Sequence, residues 1–190
     1  MIYLFMGESS FLLDLAEYFL AKSSKSLIVD NFGERRLLSE KFDTLSDSIY
    51  DFDDYLNDVV DLEDVAVQSE RNENIFVVAA SIKKDKAKKN EENIGKFIND
   101  EYLTNFDDIF IISKENINFG TDFFDYIISD TYLEDDSIYF VIDRPKFQVG
   151  MKNILGFWDY PVSKIYDNLL NKSFVKKESV LERIRGIFIK

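Results

Sequence analysis

Residues 1–30 read MIYLFMGESSFLLDLAEYFLAKSSKSLIVD, and this stretch decides the fold. Met1–Phe5 is a continuous apolar, strand-forming run. Ser9–Lys22 carries apolar residues at helical spacing and leaves mainly Asp14, Glu17 and Lys22 for solvent. Ser26–Val29 is a second strand-forming run, ending on Asp30. Strand, tight turn, helix, strand ending in Asp is how α/β domains that take nucleotides usually open. The turn itself, Met6-Gly7-Glu8-Ser9, holds one glycine and no lysine. A phosphate-cradling loop needs several backbone N–H groups wrapped around the phosphates and a lysine reaching the distal oxygens. This turn supplies neither.

Outward from that unit the same alternation continues. Ile75–Ala80 (IFVVAA), Asp108–Ile112 (DIFII), Tyr126–Ile128 and Ser137–Ile142 (SIYFVI) are short, nearly continuous apolar runs, as expected for strands covered on both faces. Helical patterns lie between several of them: Gly33–Phe42, roughly Lys88–Leu103, Lys152–Leu170 with an interruption near Pro161, and Lys176–Lys190. The expectation is an α/β fold, a three-layer, doubly wound, mostly parallel sheet flanked by helices. Residues 1–171 would form one such domain and residues 172–190 a basic amphipathic C-terminal helix.

Composition narrows the chemistry. The 190 residues contain no cysteine and no histidine, so no thiol nucleophile, disulfide or imidazole base is available. No apolar run approaches the roughly 20 residues of a membrane span. No secretory leader is evident, and a cytoplasmic protein is the expectation. The net charge of −13 argues against a nucleic-acid binder held by phosphate contacts. That charge is uneven. Residues 172–190 carry six Lys/Arg against two Glu, a net +4, which leaves −17 on the other 171 residues.

With these elements in place, the chain resembles the ParA/MinD group of P-loop ATPases, those with a deviant Walker A loop. The segment FLLDLAEYFLAKSSKSLIVD (11–30) is similar to that group's LA-x-x-LA-x-x-G-K-x-VLLID, through Leu15, Ala16, Leu20, Ala21, Lys25 and Leu27-Ile28-Val29-Asp30. YDFDDYLNDVVDLEDV (50–65) resembles the short helical connection that follows, before a strand such as NIFVVAAS (74–81). FFDYIISDT (123–131) looks like the group's FDYIIIDTPP Walker B strand, and SIYFVIDRP (137–145) like the next one. FDDIFIIS (106–113) serves equally well as the Walker B counterpart. The resemblance implies that Asp30 and Asp130 stand where the group keeps acidic residues near metal and water, and that Ser9 or Ser10 stands in for the Mg²⁺-ligating hydroxyl. The departures weigh more. The glycine-rich loop with two lysines is reduced to Gly7-Glu8-Ser9-Ser10, and Glu8 adds negative charge where a triphosphate would sit. At an effective dielectric near 20, such a charge ~4 Å from a phosphate costs on the order of 4 kcal/mol. The resemblance therefore implies a degenerate member with its phosphate loop lost, no cofactor, and a retained scaffold that binds protein partners and forms dimers.

Two further features bear on partners. Residues 51–64 hold seven carboxylates and no base: Asp51, Asp53, Asp54, Asp58, Asp61, Glu63 and Asp64. Their spacing does not fit a calcium loop. Phe52, Tyr55, Leu56, Val59, Val60 and Leu62 read as one face of a helix, leaving either a solvated acidic face or a docking face for a basic partner. A lysine cluster, Lys83, Lys84, Lys86, Lys88 and Lys89, reads as a solvated loop or a site for an acidic surface. In 176–190 a helix would align Val180, Leu181, Ile184, Ile187 and Phe188, flanked by Arg183, Arg185 and Lys190. That is either a helix packed on the domain or an interfacial helix making weak peripheral contact with the inner face of a membrane.

Asp30 and Asp130 carry two readings each, a cap for the element that follows the strand or a vestigial metal or nucleotide ligand. The expectation is a non-catalytic scaffold or positioning adaptor in a bacterial assembly such as a pilus, secretion or division apparatus. Its rivals are an NTPase with an unconventional phosphate loop and an acidic module that neutralises a basic partner.

Overall fold

Alternation along the first strand explains why its sequence shows no apolar–polar rhythm. In β1 (Ile2–Met6), Tyr3 and Phe5 join one buried cluster, and Leu4 and Met6 join a second. Successive side chains of a strand point to opposite faces, so both faces of this sheet are interior. The computed structural model describes residues 1–7, 9–31, 37–44, 49–81, 91–113, 121–148 and 150–175.

The strands are β1, β2 (Ser26–Asn31), β3 (Ala66–Gln68), β4 (Ile75–Val78), β5 (Asp108–Ser113), β6 (Tyr126–Ser129), β7 (Ile138–Ile142) and β8 (Ile154–Phe157). They form an eight-stranded sheet in the order β3-β4-β2-β5-β1-β6-β7-β8, parallel except for β3, which runs antiparallel to β4. The helices are α1 (Ser10–Leu20), α2 (Leu37–Lys41), α3 (Phe52–Leu56), α4 (Leu62–Val65), α5 (Glu91–Ile98) and α6 (Val162–Leu170). Leu12, Leu15 and Phe19 of α1, Leu38 of α2, and Ile165 and Leu169 of α6 cover one face. Phe52 and Tyr55 of α3, Leu62 and Val65 of α4, and Ile94 and Phe97 of α5 cover the other. The result is the expected three-layer, doubly wound α/β fold.

The winding reverses at β1. From β1 the chain moves to β2 and outward; from β5 it crosses to β6 on the far side of β1. Ligands of open α/β sheets gather beyond the carboxyl ends of strands at such a reversal, and the Gly7 turn lies there. Both strands that resemble a Walker B segment border β1, β5 on the β2 side and β6 on the other.

Three expectations are corrected. The Lys152–Leu170 helix is a strand followed by a helix: Ile154–Phe157 pairs with β7, and only Val162–Leu170 is helical. An apolar run of four residues buried on both faces carries no periodicity of its own, so it merged with the helical pattern after it. Residues 51–64 are two short helices, not one, separated by a turn in which Asp58 takes φ +58° and Val59 is 60% exposed. The Lys88–Leu103 pattern resolves, where described, into α5 and a 3-10 segment at Glu101–Asn105.

The β8 edge is closed from within the chain: Ile154 O accepts from Val175 N–H at 2.7 Å and Leu155 O from Asn168 Nδ2 at 2.6 Å. Gly156 permits the same closure on the helix side. A Cβ there would lie 2.1 Å from Ile165 Cδ1 and 2.7 Å from Tyr160 Cδ2. Gly156→Ala is expected to destabilise the domain by about 1–3 kcal/mol through overpacking, read as a lower urea midpoint with an unchanged slope.

Candidate functional site

The turn after β1 is held by the strands on both sides of it. Gly7 N–H donates to Ser113 O at the end of β5, 3.0 Å, and Asp130 N–H donates to Met6 O, 3.2 Å. Gly7 has φ +144°, a conformation that side chains rarely adopt. Its missing side chain is filled by Asp130. A Cβ on Gly7 would lie 2.0 Å from Asp130 Oδ1, 2.2 Å from Cγ and 2.4 Å from Oδ2. The same carboxylate closes the start of α1: Ser9 N–H donates to Asp130 Oδ2 at 2.8 Å. Ser9 is the N-cap, yet its hydroxyl caps nothing. Asp130 supplies the anion that a helix N-terminus favours.

The turn after β6 presents Asp130 firmly. Thr131 Oγ1 donates to Asp130 Oδ1 at 3.1 Å, Thr131 N–H to Ser129 Oγ at 3.1 Å, and Ser129 Oγ to Thr131 O at 3.0 Å. Asp130 is buried, 7% exposed. Asp30 is fully buried and turned to another helix, its Oδ2 accepting from Leu38 N–H in α2 at 3.1 Å. Of the five vestigial candidates, Gly7, Ser9 and Asp130 come together, Ser10 is the exposed first residue of α1, and Asp30 serves α2. Sequence reading missed Ser113, whose carbonyl holds Gly7 and whose hydroxyl accepts from Asn31 Nδ2 at 3.3 Å. The one signal for it is a polar residue closing an otherwise apolar strand. Among the described residues no group of three or more Asp and Glu is placed to hold a metal ion.

The acidic stretch divides by role. Asp51 and Asp53 are buried, at 6% and 1% exposure, so they do not belong to an exposed partner face. Asp51 and Asp54 cap α3 reciprocally: Asp51 Oδ1 accepts from Asp54 N–H at 3.1 Å and Asp54 Oδ2 from Asp51 N–H at 3.2 Å. Asp64 Oδ2 accepts from Asp61 N–H at 3.4 Å at the start of α4. The repeated Asp-x-x-Asp spacing is the sequence signal for both helix starts. Asp58, Asp61, Glu63 and Asp64 are exposed around Val59, and Asp58 is paired with Lys96 of α5. Lys96 Nζ also lies 4.6 Å over the Tyr55 ring, whose hydroxyl donates to Asp100 Oδ2 at 2.9 Å. Burial first, and then that hydrogen bond, pushes the Tyr55 hydroxyl well above the ordinary phenol value. The lysine cluster at 83–89 and the stripe Val180, Leu181, Arg183, Ile184, Arg185, Ile187 and Phe188 lie outside the described residues. Among the described residues no helix is long and apolar enough to cross a membrane.

No family model matches the chain, and no curated protein matches it. Solved structures do. The MinD cell division protein of Aquifex aeolicus superposes with a TM-score of 0.59 at 12% identity, covering 93% of this chain and 99% of that one. A putative plasmid partition protein of Borrelia burgdorferi, bound to AMPPNP, gives 0.55 at 12% identity over 90% and 98%. A chain of the MinC:MinD cell division protein complex of Aquifex aeolicus gives 0.53 at 13% identity over 75% and 68%. At these identities the likeness establishes the fold, which is that of MinD/ParA-type proteins.

Two outcomes follow from the site. Gly7→Ala should cost about 2–4 kcal/mol, from the collision with Asp130 and the disfavoured φ. In an Asp130→Ala background the cost should fall by about 1 kcal/mol or more, a coupling read in a double-mutant cycle of urea midpoints. Because the Tyr55 hydroxyl binds its proton more tightly when folded, its contribution to stability is complete below about pH 10 and is lost as pH rises from there. Tyr55→Phe should flatten the alkaline limb of a stability–pH curve.

Proposed function

We propose that this chain is a non-catalytic MinD/ParA-like scaffold or positioning adaptor that works through protein–protein contacts within a bacterial assembly, of the pilus, secretion or division kind. One observation carries the reading. The place at the start of α1 where this fold would take a phosphate is held by the chain's own Asp130 carboxylate. The turn brings no lysine to offset a triphosphate, and Glu8 adds a further negative charge. Such a turn repels the ligand that the enzymatic members of the fold use.

Partner contact falls to the surfaces that remain. Asp58, Asp61, Glu63 and Asp64 form an exposed acidic face suited to a basic partner. The basic residues of 172–190 offer, at the level of sequence, a second contact with a partner or an anionic membrane surface, strengthened by dimerisation. One similar structure is a MinC:MinD complex and another holds AMPPNP. The first makes partner binding the natural role to test, and the second sets the control.

The test is the thermal midpoint of the purified chain with and without millimolar MgATP, MgADP and MgGTP. The expected result is no shift. Nucleotide at a hundredfold excess over its dissociation constant would add about 2.7 kcal/mol, or roughly 5–10 °C for a domain of this size. A saturable shift of that order overturns the proposal in favour of an NTPase with an unconventional loop.

A further inference from the structure

Trp158 is the chain's single tryptophan, and it stands 37% exposed. It is not loose. Its backbone N–H donates to Ile142 O at 3.3 Å and its indole Nε1–H to Val141 O at 3.0 Å, so the residue after β8 is pinned to the end of β7. With the indole N–H spent on the strand, the side chain still offers the face of its ring. Asp143, Arg144 and Asp159 join it in lining an open cleft of about 340 Å³ beyond the carboxyl ends of β7 and β8.

The charged groups of this cleft are unequally matched. Arg144 stacks its guanidinium 4.4 Å from the Phe157 ring centroid and holds both carboxylate oxygens of Asp159, at 3.0 and 2.8 Å. That pair is complete. Asp143 is half-buried, its side chain caps nothing in the 3-10 turn Arg144–Lys146 that it starts, and no cation pairs with it among the described residues. Lys146 Nζ lies over the Trp158 ring at 5.6 Å from the centroid, near the outer limit of a cation–π contact. A carboxylate and an indole face thus line one cleft with no cation that serves both.

We infer that this cleft receives an arginine side chain of a protein partner, its guanidinium stacked on Trp158 and forked onto Asp143. This deepens the scaffold reading and rests on it, because it names the partner's chemistry at a second surface. The surface is separate from residues 58–64: β8 is the edge of the sheet opposite β3, into which α4 leads. Arg144 beside the cleft already shows the arrangement, a guanidinium between a ring and a carboxylate. Arginine fits better than lysine because a planar fork stacks and hydrogen-bonds at once, whereas a compact ammonium does neither as well. Tryptophan is among the side chains that dominate binding energy at protein contacts, and a ring fixed in advance loses little freedom on binding. Lys146 is the internal competitor that the partner's arginine displaces.

The experiment titrates acetyl-Gly-Arg-Gly-amide into the full-length chain at constant ionic strength. The citrulline peptide, uncharged and of the same length, and adenosine, a planar neutral ring, are the competing probes. The readout is the single indole N–H resonance, which reports Trp158 alone. The arginine peptide should move it saturably and the other two should not. Asp143→Asn, which removes a charge and breaks no hydrogen bond of that side chain, should weaken binding at least about tenfold. Lys146→Ala should tighten it. A silent indole resonance overturns the inference, as does an equal response to citrulline or a response to adenosine in place of arginine. So does an Asp143→Asn chain that binds as wild type, or an affinity that fails to rise in Lys146→Ala. Each of these failures leaves the scaffold reading standing where MgATP produces no thermal shift, whereas a saturable MgATP shift sinks that reading whatever the peptide does.

Discussion

Everything at the carboxyl end of the sheet hangs on the enclosure of β1. β5 pairs one of its edges, with Phe5 opposite Ile112, and β6 pairs the other, with Phe5 opposite Ile128. Tyr3 and Phe5 sit in the core shared with α1 and α6, and Leu4 and Met6 in the core shared with α3 and α5. Burying such side chains contributes about 1.5–3 kcal/mol each, and a strand with no solvent-facing side has no freedom to slip in register. The enclosure fixes where Met6 ends, and so fixes the turn. Ser113 and Asp130 meet Gly7 from opposite sides because the two neighbours of β1 end level with it, Met6 opposite both Ser113 and Ser129. A carboxylate within hydrogen-bonding distance of Ser9 N–H is thus a consequence of strand register and not of any local motif.

That geometry bears on how a fold of this type could depart from its chemistry. In an open α/β sheet the strand reversal makes a crevice, and the helix that follows makes it positive. An anion belongs there on electrostatic grounds whether or not it arrives as a ligand. A short turn with one glycine lets a neighbouring strand deliver that anion as a side chain. The helix start is then satisfied by a side chain of the same sheet. Asp30 does the same for α2, its buried carboxylate capping Leu38 N–H. Both acidic residues that the family likeness would place near metal and water act here on backbone N–H groups.

Six of the eight strands were legible because continuous apolar runs of three to six residues mark strands buried on both faces. β3 and β8 were not. β3 has three half-exposed to exposed residues and exists by pairing with β4, and β8 is a four-residue run containing Gly156 that precedes a helical pattern. In 51–64 the apolar spacing fitted one helix, but the two Asp-x-x-Asp pairs reset it twice. Local capping chemistry prevailed over periodicity there, as it does when a helix is only four or five residues long. At the site, the lone glycine and missing lysine were plain in the sequence, and so was the capping role of Asp30 toward the helix after its strand, whereas Asp130 acts on the start of α1 and not on the element after β6. That Asp130 and not Asp30 reaches the Gly7 turn was not legible, since both follow apolar strands and only strand order separates them. The contacts of Ser113 with Gly7 and Asn31 were not legible for the same reason, although a polar residue closing an apolar strand marks Ser113 itself.

Charge separates the acidic residues that build the fold from those that face outward. Asp51 and Asp54 cap α3, and Asp51 and Asp53 are withdrawn from solvent, so a count of carboxylates in 51–64 overstates the surface field. What remains outside is Asp58, Asp61, Glu63 and Asp64, with Lys96 already answering Asp58. An exposed field of this size steers a basic partner over roughly a Debye length, about 8 Å at physiological ionic strength, and adds little affinity by itself. Affinity would have to come from apolar contact, and Val59 stands 60% exposed within this acidic stretch. A partner matched to this face therefore needs a basic rim and an apolar centre, a requirement set by the turn that breaks the 51–64 helix and carries Val59 outward.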